Sequence, residues 1–321
     1  MNLKKYLQNQ LFHDRNTRKR LENIDNDISN IRYEFNQLYI QQRIYDIQNK
    51  MLSCTQSGIT SEKLCEEEVI VTLTTFGKRI YDVYLAIESI MQGTIKPNRI
   101  ILWLSEKEFK GQQLPQTLIL QQQRGLEIAY CEDIRSYKKL IPALKAYPET
   151  TLITIDDDAI YEFDIIERMI NAHIKNPKAV CSCRTHRITL NNEGRPNSYL
   201  DWEMCTSYTD TSPLNFPTGV GCILYPPHSL HPEVLNQKKF TKICPTADDI
   251  WFHAMAVMND TPILHVDTPK PEGYYLDLPS GYISALSDIN TTSMNCQNDV
   301  QLQNTYDKYQ IYHKLKESKE R

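Results

Sequence analysis

The sequence predicts an α/β fold in which a mainly parallel central sheet is flanked by helices and preceded by a long N-terminal helix. Three observations predict it. Short apolar runs rich in β-branched residues alternate with segments of helical spacing from Val69 to Lys175. One of these runs, Thr151-Leu152-Ile153-Thr154-Ile155, ends in three consecutive carboxylates, Asp156-Asp157-Asp158. The chain ahead of Gly58 contains neither Gly nor Pro, as an uninterrupted helix requires.

In that leading segment, residues 1–57, Leu21, Ile24, Ile28, Ile31, Phe35 and Leu38 recur at alternating spacings of three and four. This is an a/d heptad pattern over about three heptads, and Gln42 and Tyr45 continue it less well. Two readings stand: a coiled coil that makes a homo-oligomer, or a long helix packed within its own chain along the stripe Ile40, Ile44, Ile47 and Met51. The basic residues Lys4, Lys5, Arg15, Arg18, Lys19 and Arg20 would either touch anionic lipid as a peripheral membrane contact or lie solvated.

The α/β elements follow in order over residues 66–299. Val69 to Thr75 reads as the first strand, and Ile80, Tyr84, Ile87 and Met91 mark a helix. Arg99 to Leu104 and Leu126 to Tyr130 read as strands. Tyr137 to Tyr147 reads as helical, with Pro142 at a break or an early turn. The run ending at the Asp triplet is the next strand, and a helix follows from about Asp164 to Lys175. Residues 300–321 are polar and read as a terminal helix that frays.

The triplet carries the chemistry. Adjacent carboxylates repel, and a hard divalent cation such as Mg²⁺ is their usual compensation. In open α/β sheets, ligands sit beyond the carboxyl ends of strands. The competing reading has Asp158 capping the next helix and its neighbours solvated.

The order strand, Asp-x-Asp, Gly segment and acidic pair resembles the GT-A fold, a Rossmann-like arrangement, of bacterial family 2-type glycosyltransferases. The resemblance runs from about residue 68 to residue 267. Asp156 and Asp158 match the family's Asp-x-Asp, which binds nucleotide ribose and a divalent metal, with Asp157 between them on the donor side. Thr218-Gly219-Val220-Gly221-Cys222 resembles the segment under the donor sugar, which implies donor contacts at Gly219 and Gly221. Asp248-Asp249 resembles the acidic pair that opens a helix at the acceptor site, where the family usually has Glu-Asp. The resemblance implies a nucleotide-sugar donor, UDP by expectation, and Mn²⁺ or Mg²⁺ as cofactor. It implies a glycan or lipid-linked glycan acceptor, a role in surface polysaccharide synthesis, and inversion at the anomeric carbon.

Two departures bear on the donor pocket. The second strand, which in the family commonly ends in acidic residues that bind uracil, here reads Leu102-Trp103-Leu104-Ser105-Glu106, which departs from that base-binding pattern. The first ends in Thr74-Thr75-Phe76, whose hydroxyls can still bond a base or ribose.

Transfer requires that the leaving diphosphate be neutralised and that the acceptor hydroxyl lose its proton. A metal on Asp158 and Asp156 would serve the first need, with Arg79, Lys138 and Lys139 as candidate phosphate partners. Asp249 is the expected general base, with Asp248 beside it. The same spacing from Thr246 also fits a capping box, so base and cap both stand. Trp251 reads either as an acceptor-side aromatic or as core. His265, in Pro262-Ile263-Leu264-His265-Val266, reads either as a further metal ligand or as a satisfied core residue.

Composition bounds the alternatives. A net charge of −4 does not suggest a nucleic-acid partner. Nine Cys without paired metal spacing, and no apolar leader, fit reduced thiols and a cytoplasmic protein, with the inner membrane face as a peripheral location. A sugar-nucleotide pyrophosphorylase is the rival enzyme. Its Gly-rich loop after the first strand is matched here by a single glycine in Thr74-Thr75-Phe76-Gly77-Lys78-Arg79. A non-catalytic coiled-coil scaffold is the other rival, and the intact acidic motifs argue against it.

Overall fold

The computed structural model describes residues 3–270, 273–279, 281, 290–291 and 296–319. The chain divides into two units, residues 1–52 and 53–321.

The first unit is almost entirely one helix, α1 (Leu3–Ser53). Its heptad positions are open to solvent in the single chain: Leu21, Ile24, Ile28, Ile31, Phe35 and Leu38 are between 43% and 72% exposed. Ile40, Ile47 and Met51 are buried. The side chains of Lys4, Lys5, Arg15 and Arg18 lie outside the described residues. No helix among the described residues is long and apolar enough to cross a membrane.

The second unit is α/β. Its strands are β1 (Val69–Thr74), β2 (Arg99–Ser105), β3 (Leu126–Cys131), β4 (Thr151–Thr154), β5 (Ala159–Tyr161), β6 (Val180–Ser182), β7 (Thr185–Arg187), β8 (Asn215–Pro217), β9 (Ile223–Tyr225), β10 (Ile263–His265) and β11 (Tyr275–Asp277). Seven form the central sheet in the order β10-β6-β9-β4-β1-β2-β3. β9 runs antiparallel to β4 and β6, and every other pairing in this sheet is parallel. Two small antiparallel pairs, β11-β5 and β7-β8, stand beside it.

The central strands are apolar on both faces because helices cover both. Val69, Ile70, Val71 and Leu73 of β1 are fully buried. The helices of this unit are α2 (Val83–Met91), α3 (Glu106–Phe109), α4 (Gln116–Gln122), α5 (Ile141–Ala146), α6 (Ile165–Lys175), α7 (Gln237–Ile243), α8 (Asp248–Met258), α9 (Gln297–Tyr309) and α10 (Ile311–Lys319). The helix expected over Tyr137–Tyr147 is split into a 3-10 turn, Arg135–Lys139, and α5. Pro142 sits in the first turn of α5, where its missing N–H costs no bond.

The polar C-terminus is also more firmly held than its composition suggests. α9 and α10 pack on α8. They bury Leu302, Tyr306, Ile311 and Leu315, and Tyr306 Oη lies 2.5 Å from His253 Nδ1. A few apolar residues on one face suffice to dock a helix whose average composition is polar.

Candidate functional site

The site lies where the strand order turns. The chain moves outward from β1 to β2 and β3, then returns to add β4 on the other side of β1. The carboxyl ends of β1 and β4 therefore flank a switch point, the usual ligand position in such sheets. Thr72 is registered opposite Thr154, so Thr75 and the triplet leave the sheet side by side.

The three carboxylates have different surroundings. Thr75 Oγ1 donates to Asp157 Oδ2 at 2.6 Å, and Arg79 Nη1 donates to Asp157 Oδ1 at 3.0 Å. The same Nη1 lies 2.8 Å from Asp158 Oδ2, and Arg79 Nη2 donates to the Gly281 carbonyl at 3.1 Å. Asp157 is thus turned inward, its side chain 8% exposed, while those of Asp156 and Asp158 keep 27% and 22%. Burial, reinforced by repulsion from Asp156 and Asp157, pushes the Asp158 carboxyl up to about 6. Burial also raises Asp157 against the pull of Arg79. Burial opposes the Arg79 charge, but Asp157 and Asp158 outweigh it and raise the guanidinium further.

The Gly segment meets the triplet through β9. Because β9 runs antiparallel to β4, with Ile223 opposite Thr154, it begins where β4 ends. The 3-10 turn Gly219–Gly221 just before it therefore stands beside Asp156. Tyr161 Oη ties the two together: it accepts the Asp156 N–H at 2.9 Å and donates to the Val220 carbonyl at 3.1 Å.

Lys139 joins this edge to the acidic pair. Its backbone carbonyl accepts from Thr72 Oγ1 at 2.7 Å, which fixes the residue over β1. Its Nζ donates to Asp156 Oδ1 at 2.9 Å and lies 3.1 Å from Asp248 Oδ2. Burial opposes that ammonium charge, but Asp156, Asp248 and Asp249 outweigh it and hold the group well above the ordinary lysine value. Gly219 is needed for this approach, since a Cβ there would stand 2.3 Å from Lys139 Nζ and 3.0 Å from Asp249 Oδ1.

Asp249 Oδ2 accepts the Gly219 N–H at 2.9 Å, and its Oδ1 is buried without a hydrogen-bond partner. Burial, countered by Lys139 and helped by Asp248, raises its carboxyl to about 7. The capping box does not form. The residue before α8 is Ala247, with no side-chain cap. The Thr246 N–H donates instead to Gln301 Oε1 at 2.8 Å, and Thr246 Oγ1 bonds Asn290 Oδ1 at 2.8 Å.

The structure does not bring five of the expected residues into this set. Thr74 and Thr75 point to opposite faces of their strand, and Thr74 Oγ1 donates to the Trp103 carbonyl. Successive residues of a 3-10 turn diverge by about 120°; Lys138 accordingly faces away from Lys139 and pairs with Asp133 Oδ1 at 2.5 Å. Trp251 lies about 200° around α8 from Asp249. It is fully buried core, with Nε1 donating to the Val234 carbonyl. His265 is buried, lies 3.2 Å from Thr185 Oγ1 through Nδ1, and does not share a ligand cluster with Asp156 and Asp158. Burial lowers its basicity. Gly221 packs against Arg184, where a Cβ would stand 2.2 Å from the Arg184 Cβ.

Sequence reasoning missed Tyr161 as a tie and the segment around β11. The Leu278 N–H donates to the Asp158 carbonyl at 2.7 Å, and a Cβ on Gly281 would lie 3.0 Å from Asp158 Oδ2. Tyr161 could have been found as an aromatic placed just past the triplet. Gly281 had no signal, because its proximity arises from tertiary pairing across most of the domain.

Asp156 and Asp158 suit a hard divalent cation: both offer carboxylate oxygens, both are partly exposed, and Asp158 carries a charge its surroundings disfavour. Five carboxylates meet here, and two cations, Arg79 and Lys139, pair with them.

No family model matches the chain, and comparison with curated proteins gives no match. Among solved structures, the crystal structure of HddC from Yersinia pseudotuberculosis is similar over 70% of this chain and 99% of that one, at 15% identity and a TM-score of 0.37. A likeness at that level carries no argument about this site.

Proposed function

We propose that the second unit is a GT-A-type inverting glycosyltransferase that moves a sugar from a nucleoside diphosphate to an acceptor hydroxyl. The observation that carries the reading is the Lys139 ammonium, 2.9 Å from Asp156 and 3.1 Å from Asp248. It brings the triplet and the acidic pair, almost a hundred residues apart, into one site. A leaving-group side and a base side must be adjacent for a single displacement.

Asp249 is the base in this reading. Its Oδ1 has no hydrogen-bond partner, and a carboxyl raised to about 7 is matched to proton transfer near neutral pH. The acceptor oxygen attacks the anomeric carbon as its proton passes to Asp249, and the bond from that carbon to the diphosphate oxygen breaks. One displacement inverts the anomeric centre. Gly219 holds the other Asp249 oxygen through its N–H and leaves the space in which Lys139 and Asp249 converge. A Mn²⁺ or Mg²⁺ ion held by Asp156 and Asp158 would supply charge neutralisation for the diphosphate. Arg79 keeps Asp157 and Asp158 oriented for that role. The acceptor in this reading is a glycan or lipid-linked glycan.

For α1 we propose self-association through the exposed heptad, with a second copy of the chain as partner. Six large apolar side chains left in solvent along one register favour a matching helix.

The deciding experiment incubates the full chain with a panel of nucleotide sugars and Mn²⁺ or Mg²⁺ and identifies the phosphorus product. Slow release of nucleoside diphosphate is expected. Release of a nucleoside triphosphate from nucleotide sugar and added pyrophosphate would identify a pyrophosphorylase and overturn the proposal.

A further inference from the structure

At the opposite, amino end of the sheet, a second group of ligating side chains converges. Cys65, Glu67 and His173 each bring one ligand atom within 4.8 Å of the others. Cys65 and Glu67 come from the segment leading into β1, and His173 from the last turn of α6. His173 is buried, and the other two are partly so. Its Nε2 lies 3.2 Å from Glu67 Oε2. Thr151, the first residue of β4, stands over both, with Oγ1 3.4 Å from Glu67 Oε2 and 3.5 Å from His173 Nε2.

We propose that Cys65, Glu67 and His173 form a zinc-binding site distinct from the acidic triplet. The donor set is sulfur, oxygen and nitrogen, which suits Zn²⁺ and not Mg²⁺ or Ca²⁺. In a tetrahedral zinc site, bonds of about 2.0–2.2 Å put neighbouring N and O ligands about 3.4 Å apart. The Glu67–His173 separation of 3.2 Å is already close to that. Three protein ligands leave the fourth position to water.

The surroundings supply an entry path. Glu67 also lines a cleft of about 740 Å³ together with Glu62, Glu66 and Glu68. Lys63 pairs with Glu66 at 3.2 Å, so the cleft keeps a net negative charge that would raise the local concentration of cations. Cys65 Sγ makes weak contacts with its neighbours, among them one of 3.3 Å to the Glu67 carbonyl. When zinc binds, the Cys65 S–H bond breaks, a sulfur–zinc bond forms, and the proton leaves to solvent. No electron is transferred. The ion would clamp the segment before β1 to the end of α6.

The test uses the full chain stripped of metal, in an Asp158→Asn background that removes the triplet as a competing site. Calorimetry with ZnCl₂ should give one site per chain, and zinc should raise the melting temperature. Cobalt chloride should produce the near-ultraviolet thiolate-to-cobalt absorption. Cys65→Ser should abolish that absorption and weaken zinc binding at least tenfold. Because Cys65 is only partly buried, this variant is expected to fold, and its melting temperature without metal checks that. His173→Gln should likewise weaken zinc binding. No thiolate band with cobalt, or a band that survives Cys65→Ser, would overturn the proposal. Neither outcome bears on glycosyl transfer, which is read by its own product.

Discussion

Lys139 and Asp248 form a buried ion pair, Nζ to Oδ2 at 3.1 Å, and the same ammonium lies 2.9 Å from Asp156 Oδ1. One cation thus compensates carboxylates from two motifs. Buried charges are costly unless paired, so Lys139 is what allows the acidic edge of β4 and the start of α8 to pack together.

The first prediction removes that cation. Lys139→Met should destabilise the chain by about 3–5 kcal/mol near pH 8, because it leaves buried carboxylates uncompensated. The loss should shrink as pH falls through about 7, where Asp249, the third carboxylate acting on Lys139, takes up a proton. Denaturant titrations of parent and variant on either side of that pH check it. Equal stabilities near pH 8 would mean that the carboxylates find another partner.

The second prediction concerns the metal side. Asp158 sits at about 6, above the ordinary value of 3.8. Its charge therefore works against the fold: the stability tied to its protonated form is full below about pH 4 and is lost as pH rises through about 6. Asp158→Asn should keep or slightly raise the metal-free melting temperature near pH 8. It should abolish metal-dependent binding of UDP, measured by calorimetry with Mn²⁺. Unchanged metal-dependent affinity would remove Asp158 from the donor site.

How much of this was legible in the sequence differs by element. The apolar runs at Val69, Arg99 and Thr151 became parallel strands, because burial on both faces leaves a continuous hydrophobic signature, and the less apolar run at Leu126 became the partly exposed edge strand beside them. The unbroken helix α1 was equally plain, from the absence of Gly and Pro before Gly58. The split at Leu140 was not, since a 3-10 turn and an α-helix share similar apolar spacing. At the site, the strand-end position marked the triplet, but sequence spacing could not separate Lys138 from Lys139 or Thr74 from Thr75. In each pair, adjacent residues project in different directions, and the local backbone decides which one reaches the site. Thr246 misled for another reason: its capping role was displaced by Gln301, a partner more than fifty residues away.

The third prediction concerns α1. Ile24→Glu combined with Ile31→Glu places two charges on the exposed heptad seam. Light scattering should find the parent above monomer mass and the double variant at monomer mass. Product release from a nucleotide sugar should persist in the variant, since neither residue belongs to the site at β1 and β4. A monomeric parent would rule out self-association through this stripe.

The last prediction separates chemistry from stability at Asp249. Its carboxyl is raised to about 7 from an ordinary value of 3.8. The folded chain therefore holds a proton there that the unfolded chain releases. Its contribution to stability is full below about pH 4 and is lost as pH rises through about 7. Catalysis has the opposite requirement, because only the carboxylate can accept the acceptor's proton, so kcat/KM should rise through about pH 7. Over the same interval, Asp249 should make the chain less stable and more active. Asp249→Asn isolates both effects. The Asn carbonyl oxygen can still accept the Gly219 N–H, and Asp249 makes no capping bond whose loss would confuse the result. Transfer should fall roughly a hundredfold or more. Donor affinity should change little. The melting temperature near pH 8 should stay level or rise, and its dependence on pH between about 4 and about 7 should flatten. Transfer rate and melting curves on one preparation decide the matter. A variant with near-parental transfer would move the base to another group, with Asp248 the next to test.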